Sequence, residues 1–134
     1  MKTRAWVAGL CLLIAGCGSG EKRKPEPISG AAKEVASVVQ RLQKATARRD
    51  FTTICDELLA SPTRRQAGGE QCPDVLDQRA RGVRRPRIRI QAIEIRGNEA
   101  QVRVRTTASG QAVVADVIRL VREHGSFRVL SLGR

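Results

Sequence analysis

The apolar positions of residues 29–60 recur at the three- and four-residue spacing of amphipathic helices. Ser29 suits a helix N-cap, and the stripe that follows predicts a long helix to about Arg49; it comprises Val35, Val38, Val39, Leu42 and Ala45. A second stripe predicts a shorter helix that ends by Ser61-Pro62; it comprises Phe51, Ile54, Cys55, Leu58 and Leu59. Residues 63–71 contain Gly68-Gly69 and predict a loop, after which Pro73 begins a third short helix.

Beyond Pro86 the apolar period changes to two, the period of a β-strand. Ile88 and Ile90 alternate with polar residues, and the phase then shifts at Ala92, which indicates a β-bulge. Ser109-Gly110 predicts a turn into a long strand over about residues 111–122, which is apolar on both faces and therefore central. A turn at residues 123–126 leads into a last strand over residues 127–132.

Gly97-Asn98 fits a two-residue hairpin turn with glycine first. The register that this turn sets pairs Ile95 with Ala100, Ile93 with Val102, and Arg96 with Glu99. Apolar and charge pairing therefore agree with the turn. Three helices followed by four antiparallel strands predict an α+β domain, in which the helices cover one face of a curved sheet.

The N-terminal residues carry the features of an export signal. Lys2 and Arg4 precede an apolar stretch over residues 5–14, which is too short to span a bilayer. Its ending, Ile14-Ala15-Gly16-Cys17, resembles the lipobox of bacterial lipoproteins, whose signal peptidase cleaves before an acylated cysteine. The resemblance implies a signal peptide at 1–16, a lipidated N-terminus and flexible linker at 17–28, and a domain at 29–134 held on the extracytoplasmic face of the cell membrane. The alternative is an ordinary signal peptide with a chance cysteine.

The remaining cysteines predict a disulfide. Cys11 leaves with the signal and Cys17 takes the lipid, so that Cys55 and Cys72 are left in a compartment that favours oxidation. A metal site is not expected, because His124 is the only histidine and no Cys-x-x-Cys spacing occurs. No cofactor is expected either.

The formal net charge of +12 suggests an anionic partner. Phe51 and Phe127 are the only aromatic residues outside the signal, so little is available for stacking on bases. We therefore expect no nucleic acid partner and expect contact with the membrane through the lipid anchor.

The order of elements resembles that of the nuclear transport factor two-like, cystatin-like fold, and in particular small secreted bacterial lipoproteins of that type. The likeness rests on the long first helix, on segment 51–58 with its partner Cys72, and on the closing hairpin over residues 120–129. It implies a cone-like domain. Proteins of this fold include isomerases, dehydratases, transport adaptors and binding modules, so the resemblance does not fix an activity.

Enzymes of that fold move protons with carboxylates, tyrosine or histidine inside the cone. This chain has no tyrosine, and His124 lies in a predicted turn, which leaves Asp116 as the one weak catalytic candidate. A two-residue Ser109-Gly110 turn would set Asp116 opposite Arg103 as a cross-strand ion pair, the arrangement that we favour. A slip of one residue would send Asp116 into the cone, where it could act as a general base.

Four arginines are expected on the face of the sheet turned away from the apolar residues of the first hairpin: Arg89, Arg96, Arg103 and Arg105. Val114, Ile118 or Leu120 would add apolar surface there. Such a face suits an interface with an envelope protein or a second copy of the chain, or it is simply solvated.

The leading hypothesis is a non-enzymatic, lipid-anchored binding module of the cell envelope. The alternatives are a small enzyme that uses Asp116 as general base on a hydrophobic substrate, and a basic module that binds anionic lipid or wall polymer.

Overall fold

A computed structural model describes residues 29–133. Its first helix, α1 (Gly30–Arg48), begins at Ser29, whose hydroxyl accepts a hydrogen bond from the backbone N–H of Ala32 at 3.2 Å. Helix α1 ends at Arg49, which has a left-handed backbone with φ of 56°. The buried side of α1 is the apolar stripe that the sequence predicts.

The next segment is more helical than predicted. Helix α2 (Phe51–Thr53) is capped by Asp50 and continues into a π-helical turn (Ile54–Leu58). Helix α3 (Ser61–Gln66) comes next, where a loop is predicted from residue 63. A 3₁₀ turn (Gly69–Gln71) then leads into α4 (Cys72–Arg79). The predicted loop was wrong. The sequence contains no start signal for α3, because no side chain of its own segment caps it. Its N-terminus is capped instead by Glu123, whose carboxylate accepts a hydrogen bond from the N–H of Ser61 at 3.0 Å.

The sheet has four antiparallel strands in the order β1-β2-β3-β4: β1 (Arg87–Arg96), β2 (Glu99–Thr107), β3 (Val114–Glu123) and β4 (Ser126–Leu132). The register of β1 against β2 shifts between Ile90 and Ala92, which confirms the predicted bulge. The pairs Ile95–Ala100, Ile93–Val102 and Arg96–Glu99 form as predicted.

The register between β2 and β3 differs from the prediction by one residue. Asp116 lies opposite Val104, while Arg103 lies opposite Val117, so the predicted Asp116–Arg103 ion pair was wrong. The connection spans residues 108–113 and is longer than a two-residue turn at Ser109-Gly110. A shift of one residue moves every side chain of a strand to the opposite face of the sheet, so Asp116 lies on the face that the helices cover.

The core lies between the helices and the inner face of the sheet. Its largest fully buried side chains include Phe127, Leu58 and Leu120, with valines from α1, β2 and β4 around them. Ile118 and Leu120 are therefore buried against the helices, and Val114 lies on the same side, where it lines a cavity. The prediction that these three residues add apolar surface to the outer face was wrong. Here the outer face means the side of the sheet that the helices leave uncovered.

A disulfide joins Cys55 in the π-helical turn to Cys72 at the start of α4, with their Cα atoms 6.1 Å apart. Both residues are fully buried. Within residues 29–133, no helix has the length and apolarity to cross a membrane. The proposed signal peptide over residues 1–16, the proposed lipid site Cys17 and the rest of the linker lie outside the described residues.

Candidate ligand cavity and arginine face

A cavity of about 290 Å³ opens between α1, the start of β1, the end of β2 and the start of β3. Its lining is mainly apolar: Leu42, Val83, Ile88, Val104, Ile118 and Leu132 are among its walls. The volume is close to the lower end of the range for small-molecule sites.

Gln43 fixes the wall that β1 contributes. Its side-chain nitrogen donates to the backbone oxygen of Pro86 at 2.8 Å, and its side-chain oxygen accepts a hydrogen bond from the N–H of Ile88. One amide thus ties the middle of α1 to the chain as it enters the sheet. The cavity stays open because β4 ends at Leu132, opposite Ile118. The residues of β3 before Ile118 therefore have no β4 partner.

Asp116 is the only acidic residue in this lining. It is half-buried, and its Oδ1 accepts a hydrogen bond from the N–H of Val117 at 2.8 Å. Gly133 packs against the carboxylate so closely that a Cβ at this position would lie 2.7 Å from Oδ2, and Gly133 also has φ of 83°. Among residues 29–133, no salt bridge engages Asp116.

The structure brings three of the four predicted arginines together on the outer face. Arg89 lies directly opposite Arg105, and Arg103 lies two residues before Arg105 on β2. Arg96 lies apart, at the far end of the hairpin, opposite Glu99. The salt bridges seen in the described part of the chain use Arg41, Arg49, Arg64, Arg122 and His124, none of which belongs to this group.

Arg87, which also lines the cavity, is a residue that the sequence analysis missed. The strand pattern places Arg87 among exposed positions, and its proximity to the cavity follows from the path of residues 83–86, which have no regular structure. A sequence pattern carries no signal for such a path. The cavity is likewise invisible in the sequence, since it arises where separate elements leave space between them.

Among residues 29–133, two carboxyl groups have clearly shifted pKa values, and both cap helices outside the cavity. Hydrogen bonds from the backbone and side chain of Thr53 lower the pKa of Asp50 at the start of α2. Hydrogen bonds from the hydroxyl and backbone N–H of Ser61 lower the pKa of Glu123. These shifts report structural roles. No cluster of potential metal ligands occurs in the described range.

This architecture is the nuclear transport factor two-like (NTF2-like) fold. It is similar to that of an NTF2-like protein from Silicibacter pomeroyi of unknown function (15% identity, TM-score 0.54, covering 75% of this chain and 90% of that one). It is also similar to an NTF2-like protein from Campylobacter jejuni (15% identity, TM-score 0.52, covering 72% and 97%). A de novo designed NTF2-fold protein is similar too (16% identity, TM-score 0.50, covering 74% and 83%).

No protein-family model and no curated protein matches this chain. Structural similarity at such low identity establishes the fold and leaves the activity open.

Proposed function

We propose that this protein is a lipid-anchored, extracytoplasmic binding module of the bacterial envelope. Its cone would hold a small apolar ligand with a cationic or hydrogen-bond-donating end group. The observation that carries the proposal is the apolar cavity of about 290 Å³ with Asp116 as the only acidic residue in its lining.

The apolar walls supply affinity and Asp116 supplies selectivity. Each buried methylene contributes about 0.8 kcal/mol, so an alkyl chain of moderate length gains several kcal/mol on entering the cavity. A carboxylate at the wall favours a cation, because charge-assisted hydrogen bonds are stronger than neutral ones. Arg87 in the same lining carries the opposite charge but is exposed to solvent, whereas Asp116 is half-buried. Asp116 has a free hydrogen-bonding position for this purpose, since only Oδ1 is engaged within residues 29–133.

The chemistry of the lining favours binding over turnover. Among the described residues that line the cavity there is no histidine, tyrosine, cysteine or lysine. General acid–base catalysis at neutral pH usually relies on a second group that returns or accepts the proton. Asp116 has no such group beside it in this lining.

A ligand series tests the binding function. n-Octylamine, 1-octanol and octanoate are titrated by calorimetry into the chain from residue 17 with Cys17→Ser, and we expect the amine to bind most tightly and octanoate least. Asp116→Asn should weaken octylamine binding about tenfold and leave octanol unchanged. Asp74→Asn, which removes the same charge from an exposed position on α4, should change neither. Equal affinity for the three ligands, or the absence of binding, would contradict the proposal.

The lipid anchor rests on the Ile14-Ala15-Gly16-Cys17 motif. In a bacterial host the full chain should incorporate labelled palmitate and sediment with the membrane fraction. Cys17→Ser should abolish labelling, whereas Cys11→Ser should leave it intact. Labelling that survives Cys17→Ser would show that another residue is acylated.

A second candidate function, proton abstraction by Asp116, is favoured by the position of its carboxylate beside the cavity. The test is deuterium uptake by 2-octanone in heavy water, followed by proton NMR. Exchange above the buffer rate that disappears in Asp116→Asn would support this candidate, and exchange at the buffer rate would remove it for ketones.

A further inference from the structure

We propose that the outer face of the β1–β2 hairpin docks on an anionic phospholipid surface. The contact is made by a basic patch, which we define as Arg89, Arg103 and Arg105 together with Val113. This surface lies on the opposite side of the sheet from the core and is separate from the function proposed for the cavity.

The charge around the basic patch is mainly positive. Residues 78–93 contain no acidic residue and six arginines: Arg79, Arg81, Arg84, Arg85, Arg87 and Arg89. Arg103 and Arg105 join them from the neighbouring strand. Of the acidic residues of the hairpin, Glu99 lies at its other end, whereas Glu94, two residues beyond the partner of Arg103, borders the basic patch on one side.

The pairing of Arg89 with Arg105 has a cost that the rest of the described chain does not offset. Directly opposed side chains on neighbouring strands have Cβ atoms about 5 Å apart, and like charges at that position destabilise a sheet. Arg103 lies a further two residues along β2, or about 7 Å away. The salt bridges within residues 29–133 involve none of the three, so a partner that supplies several negative charges would relieve their mutual repulsion.

Val113 adds an apolar contact beside these charges. It precedes the first residue of β3, next to the strand end that carries Arg105, and 58% of its surface is exposed. Arginines interspersed with exposed aliphatic side chains are typical of surfaces that lie in a membrane interface. A soluble polyanion would use the arginines and leave Val113 without a role.

The proposed anchor brings the basic patch within reach of headgroups, and this step alone rests on the proposed lipidation. If residues 17–28 form the flexible linker that their composition predicts, a random coil of that length would have a root-mean-square span of about 20 Å. The domain would therefore remain close to the bilayer surface, where each arginine gains about 1 kcal/mol from anionic lipid.

Vesicle flotation tests the proposal with the chain from residue 17 carrying Cys17→Ser, which separates patch binding from lipidation and from the cavity. We expect binding to vesicles of phosphatidylcholine with phosphatidylglycerol, little binding to phosphatidylcholine alone, and steep loss of binding as salt is raised. Arg89→Gln with Arg105→Gln should weaken binding about thirty-fold. Arg48→Gln with Arg65→Gln is the matched control, because it removes two exposed arginines from helices and should leave binding close to that of the parent chain.

Val113→Ser should weaken vesicle binding and leave binding of soluble polyphosphate unchanged. Three outcomes would overturn the proposal. One is an equal loss of vesicle binding in the two double variants, which would mean that binding depends on the net charge of the protein and not on the basic patch. Another is equal binding to vesicles with and without phosphatidylglycerol. The last is binding of polyphosphate without binding of anionic vesicles, which would assign the basic patch to a polymer.

Discussion

Reduction of the Cys55–Cys72 disulfide should destabilise the domain by about 3 kcal/mol. The bond closes a loop with a sequence separation of 17 residues, for which loop-closure entropy in the unfolded chain gives this magnitude. Because domains of this size have a total stability of about 5–15 kcal/mol, the loss is a large fraction of the whole. The corresponding fall in Tm is roughly 15 °C.

The assay compares urea unfolding of the oxidised and reduced chains. Both cysteines are fully buried, so the chain is reduced in denaturant and refolded with reductant present. Far-UV circular dichroism is the appropriate signal, because Trp6 is the only tryptophan and lies in the proposed signal. Cys55→Ala with Cys72→Ala gives a second reduced state that cannot reoxidise.

The structure also predicts which segment loses stability first when the disulfide is reduced. Helix α3 lies inside the closed loop, has no buried side chain, and is held to β4 by the hydroxyl of Thr63, which donates to the backbone oxygen of Leu130 at 2.7 Å. Reduction should therefore lower amide-exchange protection over residues 61–71 more than in the sheet. A loss of stability below about 1 kcal/mol, or uniform loss of protection, would refute the reasoning from loop closure.

Glu123→Gln should lower Tm near neutral pH, and the difference from the parent chain should shrink as pH falls. The folded pKa of Glu123 lies below its ordinary value of 4.5 through the hydrogen bonds from Ser61, so its contribution is present above the unfolded pKa and is lost as pH falls through the folded one. A difference independent of pH between about 6 and 3 would contradict this. His124→Asn should stabilise the domain by about 0.5–1 kcal/mol in urea unfolding, because His124 has φ of 51° in an exposed turn where asparagine is better tolerated. Gly133→Ala should displace Asp116 and weaken octylamine binding in calorimetry, with octanol as the control ligand; unchanged amine affinity would mean that Gly133 does not position the carboxylate.

The first hairpin was predictable because every determinant of its structure is local. Gly97 has φ of 58°, which suits a two-residue turn with glycine first, and apolar and charged pairs agree with the register that this turn sets. Helix α1 was predictable for the same reason, since its cap and its apolar stripe lie within one segment. Helix α3 was not, because its cap comes from Glu123, 62 residues away.

The position of Asp116 depends on a connection whose length the sequence leaves open. Ser109-Gly110 fits a two-residue turn, but the connection runs over residues 108–113, and this difference decides which face of β3 meets the helices. The turn at His124-Gly125 has two residues, with Glu123 paired with Ser126, so Phe127 and Val129 share the inner face with Leu120, and the register shifts between Arg119 and Leu120. The length of the connection between β2 and β3 therefore decides whether Asp116 lies in the cavity wall or on the outer face.

The same shift of register also changes the chemistry of the outer face. With Ile118 and Leu120 buried, the residues of β3 that lie beside Arg105 and Arg103 on this face are Ala115 and Val117. The face therefore has less apolar surface than the predicted interface would need, and its dominant feature is positive charge. An interface between protein copies usually buries a contiguous apolar centre, whereas a headgroup surface needs cations with modest apolar contact. Because Asp116 and the basic patch lie on opposite faces of the sheet, a ligand could occupy the cavity while the outer face contacts lipid.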